Sequence, residues 1–394
     1  MTSVTCDILI LGGGVSGLWC LHTLQEKGFQ TILVDDQALG SGQTLASQGV
    51  LHGGLKYALN GVLNDASEAI AGMPQKWDEC LRGNQQPDLR QVKVLSDRQV
   101  LFSRSSLNSR VAAFFAGKST AGRSYKIPQE QRPDCLRPPN FQGNVYALEE
   151  KVIDIETLLQ ALAAPFAERL LLAQTKEIQA SDSGEPVVTV VHQTESLRIS
   201  AKRLVIVAGS GIPALLQLTP YVDRFPTQTR RLHQVSVKHP SLSPLFGVAI
   251  GSGPKPPFVV TSYRLAESDP WTWYLGGELA EQGVSLGTED QLDAARSLLV
   301  AYFPKLDLEG ACWKTLRVDR AEPLQADGQR PKEPVWKSHQ SVYVGWPSKL
   351  VMAPLLAQRL TTLFEKENFL PQASTTPVLS WPRAEPGRIP WLFS

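Results

Sequence analysis

Hydrophobic and polar positions at the start of the chain follow two alternating patterns. The run CDILILGGG is apolar throughout and ends in glycines, which is typical of a buried strand. The segment VSGLWCLHTLQEKG then spaces Leu18, Leu21 and Leu24 along one face of a helix that ends at Gly28. The next run, FQTILVDD, is apolar again. The pattern therefore predicts a strand, a helix and a second strand, which form one β-α-β unit.

Later segments predict two further groups of elements. Helical spacing recurs over residues 64–81 and in DIETLLQALAAPFAERL, and PVVTVVHQTESLRISAKRLVIVAGSG predicts strands of which the last ends in glycines. The runs QVSVKH, PFVVTSY and WTWYLGGEL predict an antiparallel second domain with a helix in EDQLDAARSLLVAYF. A strand, a turn and a helix in SVYVGWPSKLVMAPLLAQRLTTLFEKE indicate a return to the first domain.

The length of 394 residues exceeds that of one typical domain, so we expect two structural units. Residues 82–145 are rich in Pro, Arg and Gln and have little period, which is typical of an insertion. The predicted domains are a discontinuous nucleotide-binding domain of residues 1–81, 146–215 and 317–370, a substrate domain of residues 82–145 and 216–316, and a Pro-rich tail of residues 371–394.

Composition narrows the class of protein. Hydrophobic residues at 42% and charged residues at 20% are ordinary globular values, and a net charge of +1 gives no reason to expect nucleic acid as a partner. The five scattered cysteines and six histidines have no metal-ligand spacing, so we expect unpaired thiols and no metal. The N-terminus lacks the basic region of a signal peptide, and no apolar run approaches the roughly 20 residues of a membrane span. We expect a cytoplasmic protein whose membrane contact is at most peripheral.

A glycine motif follows the first predicted strand. Gly12, Gly14 and Gly17 form G-x-G-x-x-G where the helix begins, and this spacing supplies a tight turn, a close backbone approach to a pyrophosphate and close helix–strand packing. The helix N-terminus directs its positive end at the phosphates. Asp35 lies about 20 positions further on, where a carboxylate accepts hydrogen bonds from ribose; Asp36 is the alternative. The motif predicts a dinucleotide but does not separate NAD from FAD; the other reading is a glycine-rich turn in an unrelated α/β protein.

Three segments together resemble the D-amino-acid oxidase-like flavoprotein superfamily, which includes glycine oxidase, glycerol-3-phosphate dehydrogenase and L-2-hydroxyglutarate dehydrogenase. They are the N-terminal motif, LVIVAGSG and GWPSKLVMAPLLAQRL. The resemblance implies an α/β fold: a Rossmann-like FAD-binding domain, with a parallel sheet and an antiparallel β-meander, beside an antiparallel-sheet substrate domain. It implies FAD contacts from Val15, Ser16, Ser47, Gly49, Val152 (adenine side), Ala208, Gly209, Lys349 and Leu350. The segment AGSGIP departs from the family at Ser210 and Gly211.

The segment SQGVLHGGLKY resembles S-K-L-I-H-G-G-L-R-Y of glycerol-3-phosphate dehydrogenases. The match places His52 on the family's histidine, Lys56 on its phosphate-directed arginine and Tyr57 on its tyrosine, in a segment that runs beneath the flavin. Histidine is suited to accept a proton near neutral pH, so His52 is the predicted base; a bond to flavin or backbone alone is the alternative. Lys56 and Tyr57 are predicted to bind substrate.

Two later segments add positive charge. WKTLRVDRAEP resembles the family's G-L-R-P-x-x-P and places Arg317 on its substrate-carboxylate arginine, whereas Arg320 is interpreted as a surface residue. GWPSKLV resembles G-G-K-L-T, which places Lys349 at the flavin N1–C2 edge or the substrate. The tryptophans of DPWTWYLGG alternate as in a strand, which favours core packing, with Tyr274 in the pocket wall as the alternative.

The predicted function is oxidation of a small anionic substrate, a 2-hydroxy acid or glycerol-3-phosphate-like molecule, at a CH–OH group by hydride transfer to FAD. His52, Lys349 and Arg317 are the predicted catalytic residues. Oxidation of a CH–NH group, as in amino-acid oxidases, and FAD binding without catalysis are the alternatives. The electron acceptor, oxygen or a quinone, stays open.

Overall fold

Two large sheets organise the chain in the computed structural model, which describes residues 2–53, 72–104, 124–253, 255–326, 330–372 and 380–393. The strands are β1 Thr2–Leu11, β2 Thr31–Asp35, β3 Val94–Ser96, β4 Gln99–Ser103, β5 Ser124–Lys126, β6 Asn144–Leu148, β7 Val152–Ile153, β8 Leu170–Leu172, β9 Gln174–Ala180, β10 Pro186–His192, β11 Glu195–Ile206, β12 Thr227–Lys238, β13 Gly247–Ile250, β14 Val259–Tyr263, β15 Thr272–Gly276, β16 Cys312–Pro323, β17 Val335–His339 and β18 Val342–Trp346. The α-helices are α1 Val15–Glu26, α2 Met73–Leu81, α3 Ile155–Ala163, α4 Ile212–Gln217, α5 Glu278–Gln282, α6 Thr288–Tyr302 and α7 Ala353–Lys366.

The first sheet is built around the N-terminal β-α-β unit. Its order is β17-β18-β11-β1-β2-β8, and β18, β11, β1, β2 and β8 run parallel. Strands β9 and β10 extend it as an antiparallel meander on β11. The predicted α/β fold, with a parallel sheet and a meander, is thus confirmed.

Strand β1 is buried on both faces, as its continuous apolar sequence predicts. Ile8 and Ile10 pack into one apolar cluster with helices α1, α3 and α7, and Leu9 and Leu11 pack into a second cluster on the other face. Trp77 of α2 joins the first cluster, where its Nε1 donates to Val351 O at 3.0 Å. This packing fixes the start of α1 at the carboxyl end of β1, where parallel sheets bind ligands.

The second sheet has the order β16-β12-β15-β14-β13-β4-β6-β5 and is antiparallel except for the β4–β13 pair. Helix α6 covers one of its faces and shares an apolar cluster with Phe102, Phe258 and Trp273. The expected antiparallel second unit is therefore present.

Several element boundaries differ from the sequence-based expectation. The domain boundaries expected at residues 146 and 317 fall inside β6 and β16, and both strands pair along their length within the second sheet. The helix expected from residue 64 is seen as α2, while residues 64–71 lie outside the described ranges. Helix α3 ends at Ala163 before Pro165, and a 3-10 segment continues to Arg169.

The described part of the chain carries no helix that combines the length and apolar character of a membrane span. It also contains no cluster of three His, Cys, Asp or Glu side chains that could hold a metal ion. All five cysteines are unpaired, and only Cys312 is exposed. His22, interpreted as structural, is buried and bonded through Nε2 to Leu162 O at 2.9 Å.

Candidate active site

A cleft opens at the carboxyl ends of the parallel strands and extends to the second sheet. Many predicted cofactor residues line it: Gly12, Gly14, Val15, Ser16, Asp35, Ser47, Ala208, Gly209, Lys349 and Leu350. Residues from β12 and β16 form the opposite wall, among them Leu232, Gln234, Val318 and Arg320. The two sheets thus enclose one site.

The glycines of the N-terminal motif are required by close backbone approaches. Gly12 has a φ of +115°, and a Cβ on it would lie 2.5 Å from Ala208 Cα. A Cβ on Gly17 would lie 1.9 Å from Gly12 O, so Gly17 holds helix and strand together rather than lining the cleft. Gly14 precedes the first turn of α1, which carries no acidic side chain. Val15 N in this turn donates to Thr44 Oγ1 at 3.2 Å, and the other N–H groups at the helix N-terminus fit a pyrophosphate.

Asp35 rather than Asp36 faces the cleft. The Asp35 carboxylate accepts hydrogen bonds from the backbone N–H groups of Gly13 and Gln37, whereas Asp36 is exposed. Burial raises the pKa of Asp35 to about 6, because desolvation outweighs these two bonds. The strand end therefore presents a carboxylate with unused acceptor capacity, which fits the ribose hydroxyls of a dinucleotide.

The raised pKa of Asp35 gives a testable pH dependence for the apoprotein. Between the unfolded value of 3.8 and about 6, the folded state binds more protons than the unfolded state, so stability from this group falls as pH rises through that window. We expect Asp35→Asn to remove this loss of stability at rising pH, because asparagine does not titrate. The free energy of unfolding of the variant relative to the wild type should rise by about 2–3 kcal/mol between pH 4 and pH 7. Urea denaturation of both apoproteins across this range measures the difference; a constant difference would contradict the assignment.

Of the predicted FAD contacts Ser47, Gly49 and Val152, only Ser47 lines the cleft; Gly49 and Val152 lie in paired backbone segments outside the lining and form a layer next to it. Val50 pairs with Val152, and Ile153 N donates to Gly49 O at 2.9 Å. Gly49 has a φ of +69°, and a Cβ there would lie 2.2 Å from Ile153 O. Ser47 lines the cleft, and its buried Oγ has no hydrogen-bond partner among the described residues. An orphaned hydroxyl at this position fits a polar group of a bound cofactor.

His52 follows this layer and is bonded to a buried carboxylate. His52 Nδ1 lies 3.2 Å from Glu150 Oε2, and Glu150 Oε1 accepts from Gly53 N at 2.8 Å. The Glu150 side chain is only 4% exposed. Glu150 was not predicted from sequence, because it lies 98 positions from His52. His52 is not among the cleft-lining residues, and Gly54, Lys56 and Tyr57 lie outside the described ranges.

The structure places Arg320 in the cleft wall and Arg317 at the surface, whereas the sequence analysis expected the reverse. They lie on opposite faces of β16: Arg317 is exposed and donates to Val284 O at 3.1 Å and Leu286 O at 2.7 Å. Arg320 lines the cleft together with Val318, two positions before it. Strand alternation accounts for the difference, because Val318, Arg320 and Glu322 share a face that lines the cleft, whereas Arg317 lies on the other face and outside the lining.

Arg320 lies in the cleft wall, where its Nε donates to Arg230 O at 3.5 Å. Glu322 lies 3.5 Å from Arg330 Nε and 3.7 Å from Arg230 Nη1, whereas no described carboxylate lies within salt-bridge distance of Arg320. Burial first, and then the charges of Arg330 and Arg230, lower the pKa of Arg320 to about 10. It stays charged at neutral pH, in surroundings that favour a bound anion.

Lys349 and Leu350 line the cleft at a turn after β18. Ser348 adopts a φ of +64°, and Lys349 precedes the short 3-10 segment that leads into α7. Tyr274, by contrast, is fully buried and lies outside the cleft lining, as the core-packing interpretation expects. Its backbone O accepts from Gln48 Nε2 at 3.0 Å, and its OH bonds Gln234, so it supports two residues that do line the cleft.

Comparison with known proteins identifies the family. Residues 7–363 match the model of the FAD-dependent oxidoreductase (DAO) family, and the chain belongs to it. It is therefore an FAD-dependent oxidoreductase with FAD as its cofactor. The chain is 39% identical over 370 residues to the probable FAD-dependent oxidoreductase PA4991 of Pseudomonas aeruginosa, covering 94% of this chain and 93% of that one. The crystal structure of PA4991 matches with a TM-score of 0.82 over 97% of each chain.

More distant matches are of two kinds, one local match in sequence and two matches in structure. A segment of 58 residues is 34% identical to mitochondrial glycerol-3-phosphate dehydrogenase of Mus musculus, covering 15% of this chain and 8% of that one. Glycine oxidase of Geobacillus kaustophilus shares the fold with a TM-score of 0.64 at 15% identity, over 94% of this chain and all of that one. FAD-bound L-α-glycerophosphate oxidase of Mycoplasma pneumoniae shares it with a TM-score of 0.64 at 14% identity, over 98% and 100%. The last two show the fold alone.

Proposed function

We propose that this oxidoreductase oxidises a small organic anion at a CH–OH carbon, with the anionic group bound by Arg320. The observation that carries the proposal is a partly buried guanidinium in the cleft wall that forms no salt bridge with a carboxylate of the described residues. A carboxylate or phosphate pairs with such a fork through two hydrogen bonds. Lys349 and Arg330 line the same cleft and add positive charge beside it.

The cofactor residues fit one arrangement. The N-terminus of α1 would hold the pyrophosphate, Asp35 the ribose, and Ala208, Gly209 and Leu350 the remaining length of the cleft. FAD supplies, when bound, a ring that accepts hydride. The cation of Lys349 in the cleft lining would stabilise negative charge on the reduced ring.

His52 supplies the base in this proposal. If Nδ1 donates to the buried carboxylate of Glu150, Nε2 is left unprotonated and accepts the hydroxyl proton of the substrate. Glu150 also fixes the ring orientation and stabilises the imidazolium that forms. The local sequence match to glycerol-3-phosphate dehydrogenase supports hydroxyl chemistry over amine chemistry.

Anaerobic reduction of the flavin tests this proposal. The purified yellow protein is mixed with 2-hydroxy acids, glycerol 3-phosphate and amino acids, and loss of flavin absorbance is followed. We expect bleaching by an anionic alcohol and a decrease of about 100-fold or more in its rate in His52→Ala, because a general base is lost. His239→Ala is the control, since His239 is only partly buried, lies outside the cleft lining and is bonded through Nδ1 to Ser241 Oγ at 2.7 Å.

Bleaching by amino acids alone, with His52→Ala as fast as the wild type, would instead assign the protein to CH–NH oxidation. No bleaching by any member of the panel would favour FAD binding without catalysis. Reoxidation of the reduced protein by oxygen or by a quinone analogue then identifies the class of electron acceptor.

A further inference from the structure

The C-terminal residues 380–393, here called the strap, cross the loop that carries much of the cleft. This loop, residues 36–48, is called the cradle loop. Leu39 N donates to Glu385 O at 2.8 Å, and Gly387 N donates back to Leu39 O at 3.0 Å. Further along, Trp391 Nε1 donates to Leu45 O at 3.2 Å. The strap therefore holds both ends of the cradle loop.

The strap is itself fixed to both structural units. Ala384 N donates to Leu170 O at 3.0 Å in β8 of the first sheet. Ile389 N donates to Glu156 Oε1 at 2.7 Å near the start of α3. Lys314 Nζ, from β16 of the second sheet, donates to Pro390 O at 2.7 Å. Because these anchors lie on elements with their own packing, the strap positions the loop relative to both walls of the cleft.

Trp391 contacts the buried residue Tyr274, which in turn bonds to a residue of the cleft lining. Its ring stacks on Tyr274 with centroids 4.2 Å apart and planes 4° apart, and the Tyr274 OH donates to Ala46 O at 3.0 Å. Ala46 lines the cleft. Trp391 is 2% exposed, so the contact is a packed one rather than a surface contact.

The cradle loop needs such support because it contains no helix or strand. It is built of turns such as Leu45 N to Gly40 O at 3.0 Å. The loop nevertheless supplies Thr44, whose Oγ1 accepts from Val15 N at 3.2 Å in the first turn of α1. A displaced loop would thus alter the predicted pyrophosphate end of the cleft as well as its middle.

We propose that the strap, acting through Trp391, pre-orders the cradle loop and thereby sets the affinity for FAD. The apparent dissociation constant rises in inverse proportion to the fraction of protein whose loop is already in place. If loss of Trp391 reduces that fraction to about one-tenth, FAD binding weakens about tenfold. Trp391 is then a positioning residue, and its effect is separate from the identity of the substrate.

The test compares two tryptophans of the strap that make the same type of bond. Trp381 Nε1 donates to Leu172 O at 3.2 Å, as Trp391 Nε1 does to Leu45 O, but Leu172 lies on β8 and outside the cleft lining. Apoproteins of Trp391→Ala, Trp381→Ala and the wild type are titrated with FAD well below their melting temperatures, and circular dichroism and Tm are recorded. We expect both variants to lose Tm but only Trp391→Ala to bind FAD about tenfold more weakly.

Trp391→Phe, which keeps a ring against Tyr274, should recover most of the FAD affinity and the visible flavin spectrum. If Trp391→Ala does not fold, Trp391→Leu is compared with Trp381→Leu, because leucine keeps apolar volume but lacks both the ring that stacks on Tyr274 and the Nε1 donor. Equal FAD affinities in Trp391→Ala and Trp381→Ala, or in the corresponding leucine variants, would overturn the proposal. The titration contains no substrate, so its outcome is independent of the proposed reaction.

Discussion

Gly17→Ala is expected to yield protein without bound flavin. The added Cβ would lie 1.9 Å from Gly12 O and 3.1 Å from Gly12 C, and both are backbone atoms that no side-chain rotation can move. Helix α1 must therefore shift from β1, which displaces the N–H groups directed at the pyrophosphate. We expect FAD affinity to fall by about 100-fold or more, equivalent to about 3 kcal/mol. The flavin-to-protein ratio after purification and calorimetric titration of the apoprotein with FAD measure this change.

Gly211→Ala is the matched control for the glycine prediction. Gly211 lies just beyond the cleft-lining Ser210, but a Cβ on it would meet only Ala208 Cβ at 3.5 Å, an ordinary contact. This variant should retain flavin as the wild type does. Gly17→Ala protein that binds FAD with wild-type affinity would show that the pyrophosphate does not depend on the position of α1.

Arg320→Gln is expected to lower kcat/KM for the anionic substrate by about 30-fold or more. Removing the charged partner of a desolvated pair costs about 2–5 kcal/mol. Glutamine retains a side-chain amide but neither the charge nor the five-donor fork of arginine. Steady-state kinetics with an anionic substrate identified by anaerobic reduction provide the measurement.

Arg317→Gln is the control that separates the loss of substrate binding from a general disturbance of strand β16. The two arginines are three residues apart on the same strand, but Arg317 is directed away from the cleft toward Val284 O and Leu286 O. We expect a loss of some stability with kcat/KM close to the wild-type value. The reverse result, a larger loss of kcat/KM in Arg317→Gln, would return the substrate-binding role to Arg317.

The N-terminal unit was predictable because its signals are local. Hydrophobic period defines the strand, helix and strand within one short segment, and the glycine spacing is imposed by contacts between neighbouring parts of that segment. The same applies to Asp35, which ends the second strand. Family resemblance then distinguished FAD from NAD, a distinction that the glycine motif alone does not make.

The substrate side was less predictable because it depends on long-range pairing. Alternation places Arg317 and Arg320 on opposite faces of a strand, but only pairing with β12, such as Arg230 with Arg320, decides which face borders the cleft. Alternation alone places Val318 and Arg320 on one face of the strand. Pairing also explains why β6 and β16 belong whole to the second sheet.

Glu150 and the strap lacked a sequence signal altogether. Glu150 lies next to His52 because Val50 and Val152, two residues from each of them, form a β-bridge. The strap has no regular period, since it follows the surface of other elements and bonds to them one residue at a time. Such contacts are specified by tertiary packing.

The most direct test of the account compares charged and uncharged forms of one substrate. If a 2-hydroxy acid bleaches the flavin, its uncharged counterpart is its methyl ester; if glycerol 3-phosphate does, the counterpart is glycerol. The value of kcat/KM is measured for the charged and the uncharged form. If Arg320 binds the anionic group, the wild type prefers the anion by about 30-fold or more, and this preference largely disappears in Arg320→Gln. An equal preference in the wild type and Arg320→Gln would contradict the account.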